Sequence, residues 1–311
     1  MERVLVTGGA GFIGSHLTDR LIELGYEVVV VDNLSTGKKE NVNPKAQLIV
    51  ADIQKHEEME KLFSKNTFSY VFHLAAQASV SISVKNPVFD ANVNIIGSLN
   101  LIQNSIKYGV KKFIFSSTGG AIYGENVEIF PTPESVSPKP ISPYGIAKLS
   151  VENYLNFASK EFGLNFTILR YGNVYGPRQD PFGEAGVIAI FTSKMIKKED
   201  VTINGDGEYV RDYVYVGDVV NANIRAIKKG DRMVINIGTS IGTTVNQLFS
   251  YLKKLTKYEK EPIYGPPRKG DIRKSLLCYT KAKEELRWEP KTDLEKGLKL
   301  TVDWFKRTIK A

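Results

Sequence analysis

At 311 residues the chain is long for one simple core, so we expect a large α/β domain with a smaller unit attached. Apolar residues make up 42% and charged residues 24% of the sequence, values that exclude an intrinsically disordered or fibrous chain. The formal net charge of +8 comes mainly from scattered lysine pairs, which argues against a nucleic-acid track and favours a solvated surface or an anionic small substrate.

The sequence shows no sign of membrane insertion or secretion. No run approaches ~18 consecutive apolar residues, the length that a membrane-spanning helix needs. Residues 1–6 lack a basic leader and a cleavage site, and we interpret them as the first strand. The single cysteine, Cys278, excludes an internal disulfide, and it has no metal-ligand spacing with His16, His56 or His73. We expect a cytoplasmic protein that binds no metal, nucleic acid or membrane.

The first half of the chain alternates between strand and helix patterns. Short apolar runs predict strands at residues 3–7, 27–32, 47–51, 70–74, 112–115 and 165–169. Helical spacing of apolar residues predicts helices over residues 13–24, about 55–64, 92–108 and 143–161. Unbroken apolar strands favour a parallel sheet that is covered on both faces. The alternation therefore predicts an α/β fold with a doubly wound parallel sheet of the Rossmann type.

The pattern becomes irregular after Gly176. Residues 177–210 and 239–280 are studded with Gly and Pro and are expected to be loop-rich, whereas residues 284–310 end in an amphipathic helix. We therefore expect a Rossmann domain of residues 1–176 and a smaller α/β substrate-binding domain of residues 177–311. Its segment 211–230 is expected to pack back on the first domain. Residues 119–143 form a long proline-rich loop and a candidate binding element.

A glycine-rich motif follows the first predicted strand and begins the first predicted helix. Gly8, Gly11 and Gly14 allow a tight turn and let backbone N–H groups at the helix N-terminus approach a pyrophosphate. Asp32, at the end of the second strand, can accept hydrogen bonds from the adenosine ribose and would repel a 2′-phosphate. NAD is therefore expected in preference to NADP. The lysine pair 38–39, which could lie near such a phosphate, argues the other way.

A second motif carries groups suited to proton transfer. Tyr144 and Lys148 lie four residues apart, so a helix places their side chains on one face. The ammonium is expected to stabilise the phenolate and lower the pKa of Tyr144 towards neutrality, which makes it a candidate general base. Ser116 and Thr118 follow the predicted fifth strand, at the carboxyl edge where ligands of such sheets bind. A hydroxyl there can relay a proton or polarise a substrate oxygen.

Taken in order, these motifs resemble those of the extended short-chain dehydrogenases/reductases of the NAD-dependent epimerase/dehydratase family, and among them the UDP-glucose 4-epimerases. The resemblance extends from about residue 2 to about residue 305. It implies that Tyr144, Lys148 and Thr118 are catalytic. It also implies a set of residues that line an NAD site. These are Gly8, Gly11, Phe12, Ile13, Gly14, Asp32, Asn33, Leu34, Ser35, Thr36, Gly37, Asp52, Ile53, Leu74, Ala75, Ala76, Gln77, Asn92, Ser116, Tyr144, Lys148 and Tyr171.

The same resemblance implies a clamp for a nucleotide diphosphate in the second half of the chain. Its residues are Thr118, Tyr144, Asn173, Gly186, Val187, Asn204, Arg211, Arg268, Asp271 and Ser275. The guanidinium groups of Arg211 and Arg268 suit a pyrophosphate, and the carboxylate of Asp271 suits ribose hydroxyls. Ser275 matches a position beside the C2 substituent of the sugar, where a small residue leaves room for an N-acetyl group.

The resemblance implies NAD-dependent epimerisation at C4 of a UDP-hexose through a 4-keto intermediate, as in galactose metabolism. It also implies a homodimer formed through the predicted helices 92–108 and 143–161. Two alternatives stay open. A sugar-nucleotide 4,6-dehydratase or another nucleotide-sugar epimerase would use the same scaffold, although Gly119 and Gly120 follow Thr118 where the dehydratases usually carry Asp-Glu. A non-catalytic dinucleotide-binding protein would keep the glycines without needing Tyr144 and Lys148.

Overall fold

The computed structural model describes residues 2–182, 186–267 and 272–310. The strands are β1 (Arg3–Thr7), β2 (Glu27–Asp32), β3 (Gln47–Val50), β4 (Tyr70–His73), β5 (Lys112–Thr118), β6 (Phe166–Tyr171), β7 (Asn173–Tyr175), β8 (Thr202–Asn204), β9 (Val210–Tyr215), β10 (Met233–Ile237), β11 (Gly242–Thr244), β12 (Ile263–Gly265) and β13 (Lys274–Ser275).

The α-helices are α1 (Phe12–Glu23), α2 (His56–Lys65), α3 (Val80–Lys85), α4 (Pro87–Ala91), α5 (Gly97–Lys107), α6 (Gly119–Ile122), α7 (Pro143–Phe162), α8 (Val187–Ile196), α9 (Val216–Ala226), α10 (Val245–Thr256) and α11 (Leu294–Lys310). A 3₁₀ turn covers Lys39–Asn41, and π-helical turns cover Asn92–Ile96 and Ala282–Leu286. No helix of the described ranges has the length and apolar character that crossing a membrane requires.

A parallel sheet of seven strands organises the described part of the chain. Its order is β3-β2-β1-β4-β5-β6-β10, and each neighbouring pair is parallel. The four valines of β2, residues 28–31, are all buried, because alternate side chains enter the apolar cores on opposite faces of the sheet. Helices α1 and α9 cover one face, and α2, α5 and α7 cover the other. The prediction of a doubly wound Rossmann-type sheet is confirmed.

The second half of the chain contributes a smaller unit, called the second unit below, and also adds to the large sheet. The second unit consists of β7, β8, β9, β11, β12, β13, α8, α10 and α11. Strand β9 pairs with β7, β11 and β13, while β8 pairs with β12. Helices α8, α10 and α11 pack in a third apolar core. Strand β10 nevertheless forms the edge of the large sheet, and α9 packs on α1. The division of the chain at residue 176 stays a prediction.

The loop-rich segments 177–210 and 239–280 each contain a helix that the sequence pattern did not predict. Helix α8 lies in the first segment and α10 in the second. Six of the ten residues of α8 are buried, so its sequence shows no alternation of apolar and polar faces. Helix α10 begins with a capping box in which Thr244 and Gln247 each bond to the other's backbone. That local signal was available in the sequence, but the surrounding Gly and Pro residues obscured it.

The segment 119–143 is more ordered than a long loop. It begins with α6. Its middle pairs with the residues that follow β13, because the Thr132 N–H donates to the Leu276 carbonyl at 2.7 Å and the Cys278 N–H donates to the Thr132 carbonyl at 2.9 Å. The amide of Asn236, on β10, also donates to the Thr132 carbonyl at 3.0 Å. The segment therefore connects both sheets beside the carboxyl end of β5.

Candidate active site

The glycine-rich turn between β1 and α1 depends on close backbone approach. Gly8 has φ +72°, and a Cβ atom there would lie 2.7 Å from the Ala75 nitrogen. A Cβ on Gly14 would overlap the carbonyl oxygen of Gly8. The first turn of α1 therefore packs directly on the end of β1, with Gly11 as an N-cap that has no side chain to occupy the N–H groups of that turn. Those donors suit a pyrophosphate.

Asp32 fixes the loop after β2 to this glycine-rich turn. Its carboxylate accepts hydrogen bonds from the Ala10 N–H at 3.0 Å and the Leu34 N–H at 2.9 Å. Each carboxylate oxygen keeps a lone pair that a ribose hydroxyl can use. The ammonium of Lys38 lies 3.6 Å from the carboxylate of Asp180, so this lysine faces another acid. The arrangement favours the unphosphorylated dinucleotide.

The remaining residues predicted to line the NAD site follow the carboxyl ends of adjacent strands. The amide of Asn33 donates to the carboxylate of Asp52 at 3.3 Å. Ile53 is buried against Gly97 at the start of α5. The following predicted residues lie in these loops or at the start of α1: Phe12, Ile13, Ser35, Thr36, Gly37, Leu74, Ala75 and Ala76. The structure therefore brings these residues to one edge of the sheet.

Asn92 and Asn94 have different environments within the π-helical turn. Asn92 is exposed, whereas Asn94 is buried and bonds to both backbone groups of Gln77, at 3.0 and 2.9 Å. A π-turn changes which side chains share a face, so helical spacing could not show this difference. Asn92 as a cofactor residue stays a prediction, and Asn94 is the residue that the structure places beside Gln77.

Thr118, Tyr144 and Lys148 meet where β5 ends and α7 begins. Ser142 caps α7 by accepting the Gly145 N–H at 3.2 Å, which places Tyr144 in its first turn. The Thr118 oxygen accepts the Ala121 N–H at 3.2 Å, so its hydroxyl proton remains for the hydrogen bond with Tyr144. The Lys148 ammonium donates to the Ser116 carbonyl at 2.9 Å and lies 5.9 Å from the centroid of the Tyr144 ring.

Burial controls the ionisation of this pair. Burial raises the pKa of Tyr144, the Asp90 carboxylate raises it further, and the hydrogen bond from Thr118 opposes both effects. Burial lowers the pKa of Lys148 to about 8, against the opposing influence of Asp90 and Glu152. The expectation that Lys148 brings the pKa of Tyr144 towards neutrality is therefore wrong for the protein alone, because burial disfavours the charged phenolate.

A buried polar network lies beneath these residues, and our sequence reasoning missed it. Glu152 accepts two hydrogen bonds from Arg170, at 3.0 and 2.6 Å, and a third from the Ser117 hydroxyl at 2.5 Å. Arg170 also donates to the Tyr123 hydroxyl at 2.9 Å. The sequence offered two signals: Glu152 lies one turn after Lys148, and Arg170 interrupts an apolar strand.

Ser116 and Tyr171 belong to a second buried hydroxyl group. Their side-chain oxygens are 3.0 Å apart, and the amide of Asn223 on α9 donates to the Tyr171 hydroxyl at 2.7 Å. Burial raises the pKa of Tyr171 to about 12, so its hydroxyl stays protonated. Both residues therefore hold β5, β6 and α9 together next to the site, and their contact with a cofactor stays a prediction.

The predicted substrate residues fall into two neighbouring groups. A Cβ on Gly120 would lie 3.8 Å from the Asn173 Oδ1 and 3.9 Å from the Thr118 Oγ1, so Asn173 is next to the proton-transfer residues. Arg211 on β9 is the register partner of Ser275 on β13, and Ser275 is buried. Gly120, beside the first group, and Ser275, in the second, line the same small cavity.

The other predicted substrate residues lie farther along the second unit. Gly186 is the N-cap of α8, Val187 is its first residue, and Asn204 ends β8. Arg268 and Asp271 lie outside the described residues. The diphosphate clamp therefore stays a prediction.

Comparison with known proteins gives matches over nearly the whole chain. Residues 4–238 match the model of the family described as NAD dependent epimerase/dehydratase. A putative UDP-glucose 4-epimerase of Methanocaldococcus jannaschii is 46% identical over 303 residues, which cover 97% of this chain and 98% of that protein. The structure of the UDP-glucose 4-epimerase of Thermotoga maritima with UDP-glucose is similar with a TM-score of 0.98 and 67% identity, covering 99% of both chains. The Thermus thermophilus UDP-glucose 4-epimerase in complex with NAD has a TM-score of 0.93 and 45% identity, covering 98% of this chain and 99% of that one.

Proposed function

The chain belongs to the NAD dependent epimerase/dehydratase family, and we propose that it interconverts UDP-glucose and UDP-galactose by epimerisation at C4 with bound NAD. The observation that carries this proposal is the meeting of Thr118, Tyr144 and Lys148 at the same sheet edge as the glycine-rich turn. A dinucleotide bound at that turn would occupy the same edge of the sheet as these three residues, which supply proton transfer.

The residues at the glycine-rich turn fit NAD. The close approach at Gly8 and Gly14 leaves the first turn of α1 open to a pyrophosphate, and Asp32 offers a negatively charged acceptor to the ribose. Hydride exchange with C4 of the sugar is the chemistry that NAD supplies when bound.

The protein's own residues move the proton. The Tyr144 oxygen takes the proton of the 4-hydroxyl, and the Thr118 hydroxyl orients both oxygens by hydrogen bonding. The Lys148 ammonium is held by the Ser116 carbonyl and by the Phe115 ring, whose centroid is 4.7 Å away, so it is fixed where it stabilises the phenolate. Because burial keeps Tyr144 protonated in the protein alone, additional positive charge in the site is needed to make it a base.

Epimerisation also requires that the keto sugar rotate, so that its other face is presented, while the nucleotide stays bound. We assign the nucleotide to Arg211, Arg268 and Asp271, and the sugar to the space between Asn173 and Ser275. The proximity of Asn173 to Thr118 supports the second assignment. The resemblance of the sequence motifs supports the first.

A dehydratase is the main competing assignment. Elimination of a hydroxyl at C6 needs an additional acid and base. The two residues after Thr118 are Gly119 and Gly120, and a Cβ on Gly119 would clash with the Leu277 side chain. These two positions therefore offer no carboxyl group for the elimination, which favours epimerisation.

Product analysis tests the proposal directly. The purified protein is incubated with UDP-galactose, UDP-glucose and their N-acetyl forms, and the products are separated and weighed by mass spectrometry. We expect a mixture of C4 epimers of unchanged mass. A product lighter by one water would identify a dehydratase, and binding without turnover would identify a non-catalytic protein. The matched control is Tyr144→Phe, which keeps the ring but cannot accept the proton, so turnover should fall by orders of magnitude.

We also propose a cytoplasmic homodimer. Of the two helices that the resemblance implies for the dimer, 92–108 and 143–161, the second is α7. It packs with α3 and α4, and these three helices carry exposed apolar side chains, including Val84, Val88, Phe157 and Phe162. Apolar side chains on neighbouring helices are typical of a self-complementary interface. The single cysteine supports a reducing compartment. Light scattering should give twice the mass of the chain, and Phe157→Asp should yield monomers.

A further inference from the structure

The carboxylates of Asp90 and Glu152 both raise the pKa of Lys148. Of these two, only Glu152 forms a salt bridge with a cation in the described part of the chain. Glu152 is paired with Arg170 through two hydrogen bonds and accepts a third from Ser117. Its negative charge is therefore balanced within the network. Asp90 acts on the same lysine from α4.

Asp90 is held by amides and leaves one oxygen unused. Its side chain belongs to a residue that is 1% exposed. Its Oδ1 accepts hydrogen bonds from the Gln77 amide at 2.7 Å and the Asn94 amide at 3.0 Å. Its buried Oδ2 has no hydrogen-bond partner among the residues that the structure describes. A buried carboxylate oxygen without a donor is costly, so such a group in a native fold calls for a functional explanation.

Helix α4 packs on α3, on the π-helical turn and on α7, and these elements define what Asp90 faces. From α7, the groups that respond to its charge are Tyr144 and Lys148. The π-helical turn has no titratable residue, and the Lys85 side chain of α3 is exposed. His73 on β4 lies near Lys148, but burial lowers its pKa well below the ordinary value and keeps it neutral.

We propose that Asp90 is a positioning residue: its unpartnered oxygen is the negative counter-charge of the Tyr144–Lys148 pair, which keeps the ammonium on Lys148 and the proton on Tyr144 until positive charge enters the site. This inference rests on the proposed function, since it assigns the counter-charge of the same site. The directions of the pKa changes agree with it, because the Asp90 carboxylate raises the pKa of both Tyr144 and Lys148. Asp90 also holds Gln77 and Asn94 in place through its other oxygen.

The variant Asp90→Asn removes the charge and keeps the shape. Its side-chain oxygen can still accept from Gln77 and Asn94. Without the negative charge the phenolate forms more readily and the ammonium loses its proton more readily, so both limbs of the pH profile of kcat/KM should move to lower pH. We expect a displacement of about one pH unit, the lower end of the shifts that a neighbouring charge produces. A purely structural role would lower the height of the profile without moving its limbs.

A second readout is independent of turnover. NAD⁺ carries a positive charge on its nicotinamide ring and NADH does not. Loss of the negative charge of Asp90 should therefore weaken the binding of NAD⁺ relative to the binding of NADH. We expect the ratio of the two affinities, measured by calorimetry, to change roughly tenfold, the equivalent of about one pKa unit. Asp212→Asn is the control for loss of an equally buried carboxylate, because Asp212 bonds to Thr239 in the second unit. It should leave both limbs and the affinity ratio in place.

The outcomes separate the two proposals. Unmoved limbs and an unchanged affinity ratio in Asp90→Asn overturn the role of Asp90 while leaving the epimerase assignment intact. If the wild-type protein epimerises none of the UDP-sugars, the proposed function fails, and the affinity ratio alone decides about Asp90. If Asp90→Asn does not fold, Asp90→Ser removes the same charge from a smaller side chain and should show the same displacement.

Discussion

Replacing Arg170 with methionine tests the buried network beneath the active site. The side chains of Glu152 and Arg170 are 3% and 5% exposed, and the guanidinium makes two hydrogen bonds to the carboxylate. Arg170→Met keeps much of the aliphatic volume but removes the only cation that is paired with Glu152 in the described chain. The carboxylate is then left with the Ser117 hydroxyl as its donor.

We expect Arg170→Met to lower the free energy of unfolding by about 3–5 kcal/mol, since removing one partner leaves a buried charge uncompensated. The double variant Glu152→Leu/Arg170→Met removes both charges. It should therefore be at least ~2 kcal/mol more stable than Arg170→Met alone, although it loses more hydrogen bonds. The extra stability reflects desolvation of an unpaired carboxylate, which the leucine abolishes.

Denaturant unfolding of the wild type, both single variants and the double variant gives the complete cycle. The exposed pair of Arg20 and Glu23, 2.8 Å apart, provides the control, because breaking a surface pair should cost less than about 1 kcal/mol. The reasoning is refuted if Arg170→Met lowers the free energy of unfolding by no more than Arg20→Met does. Strict additivity of the two single variants would refute it as well.

Three further predictions concern the site itself. Asp32→Ala removes a charged acceptor for the ribose, so the affinity for NAD should fall about tenfold or more in calorimetry, with preference over NADP reduced; an unchanged preference would contradict its role. The pKa of Lys148 is lowered to about 8, so its ammonium is present below that pH and lost above it, and kcat/KM should decline as the pH rises through about 8; the Lys148→Arg variant should lose this decline. Ser275→Tyr should reduce epimerisation of UDP-N-acetylglucosamine more than that of UDP-glucose, and a wild-type protein inert towards the N-acetyl sugar would count against the assignment.

The large sheet could be predicted from the sequence because its strands are local and strongly apolar. Four consecutive valines in β2 leave no polar face, which is possible only where helices cover both sides. The second unit was harder to predict. Strand β13 has only two residues, and it pairs with β9 more than sixty positions away along the chain. No local sequence pattern therefore predicts it.

The site likewise contains some features that are set within one helix and others that depend on contacts between distant parts of the chain. The four-residue spacing of Tyr144 and Lys148 is a property of one helix and can be read from the sequence. The partners of Asp90 come from the loop after β4 and from the π-helical turn, where the extra residue per turn brings Asn94 rather than Asn92 against Gln77. Such contacts depend on how helices pack on the sheet, which a single sequence does not show.

The ionisation of Tyr144 shows why spacing alone is insufficient. A neighbouring ammonium favours the phenolate, but the same pocket removes water from both groups and so disfavours both charges. Asp90 supports the ammonium and opposes the phenolate, whereas Thr118 supports the phenolate with a hydrogen bond. The balance leaves a neutral phenol beside a cation. We therefore expect an added positive charge in the site to favour the phenolate of Tyr144, the proposed base, without any change in the protein.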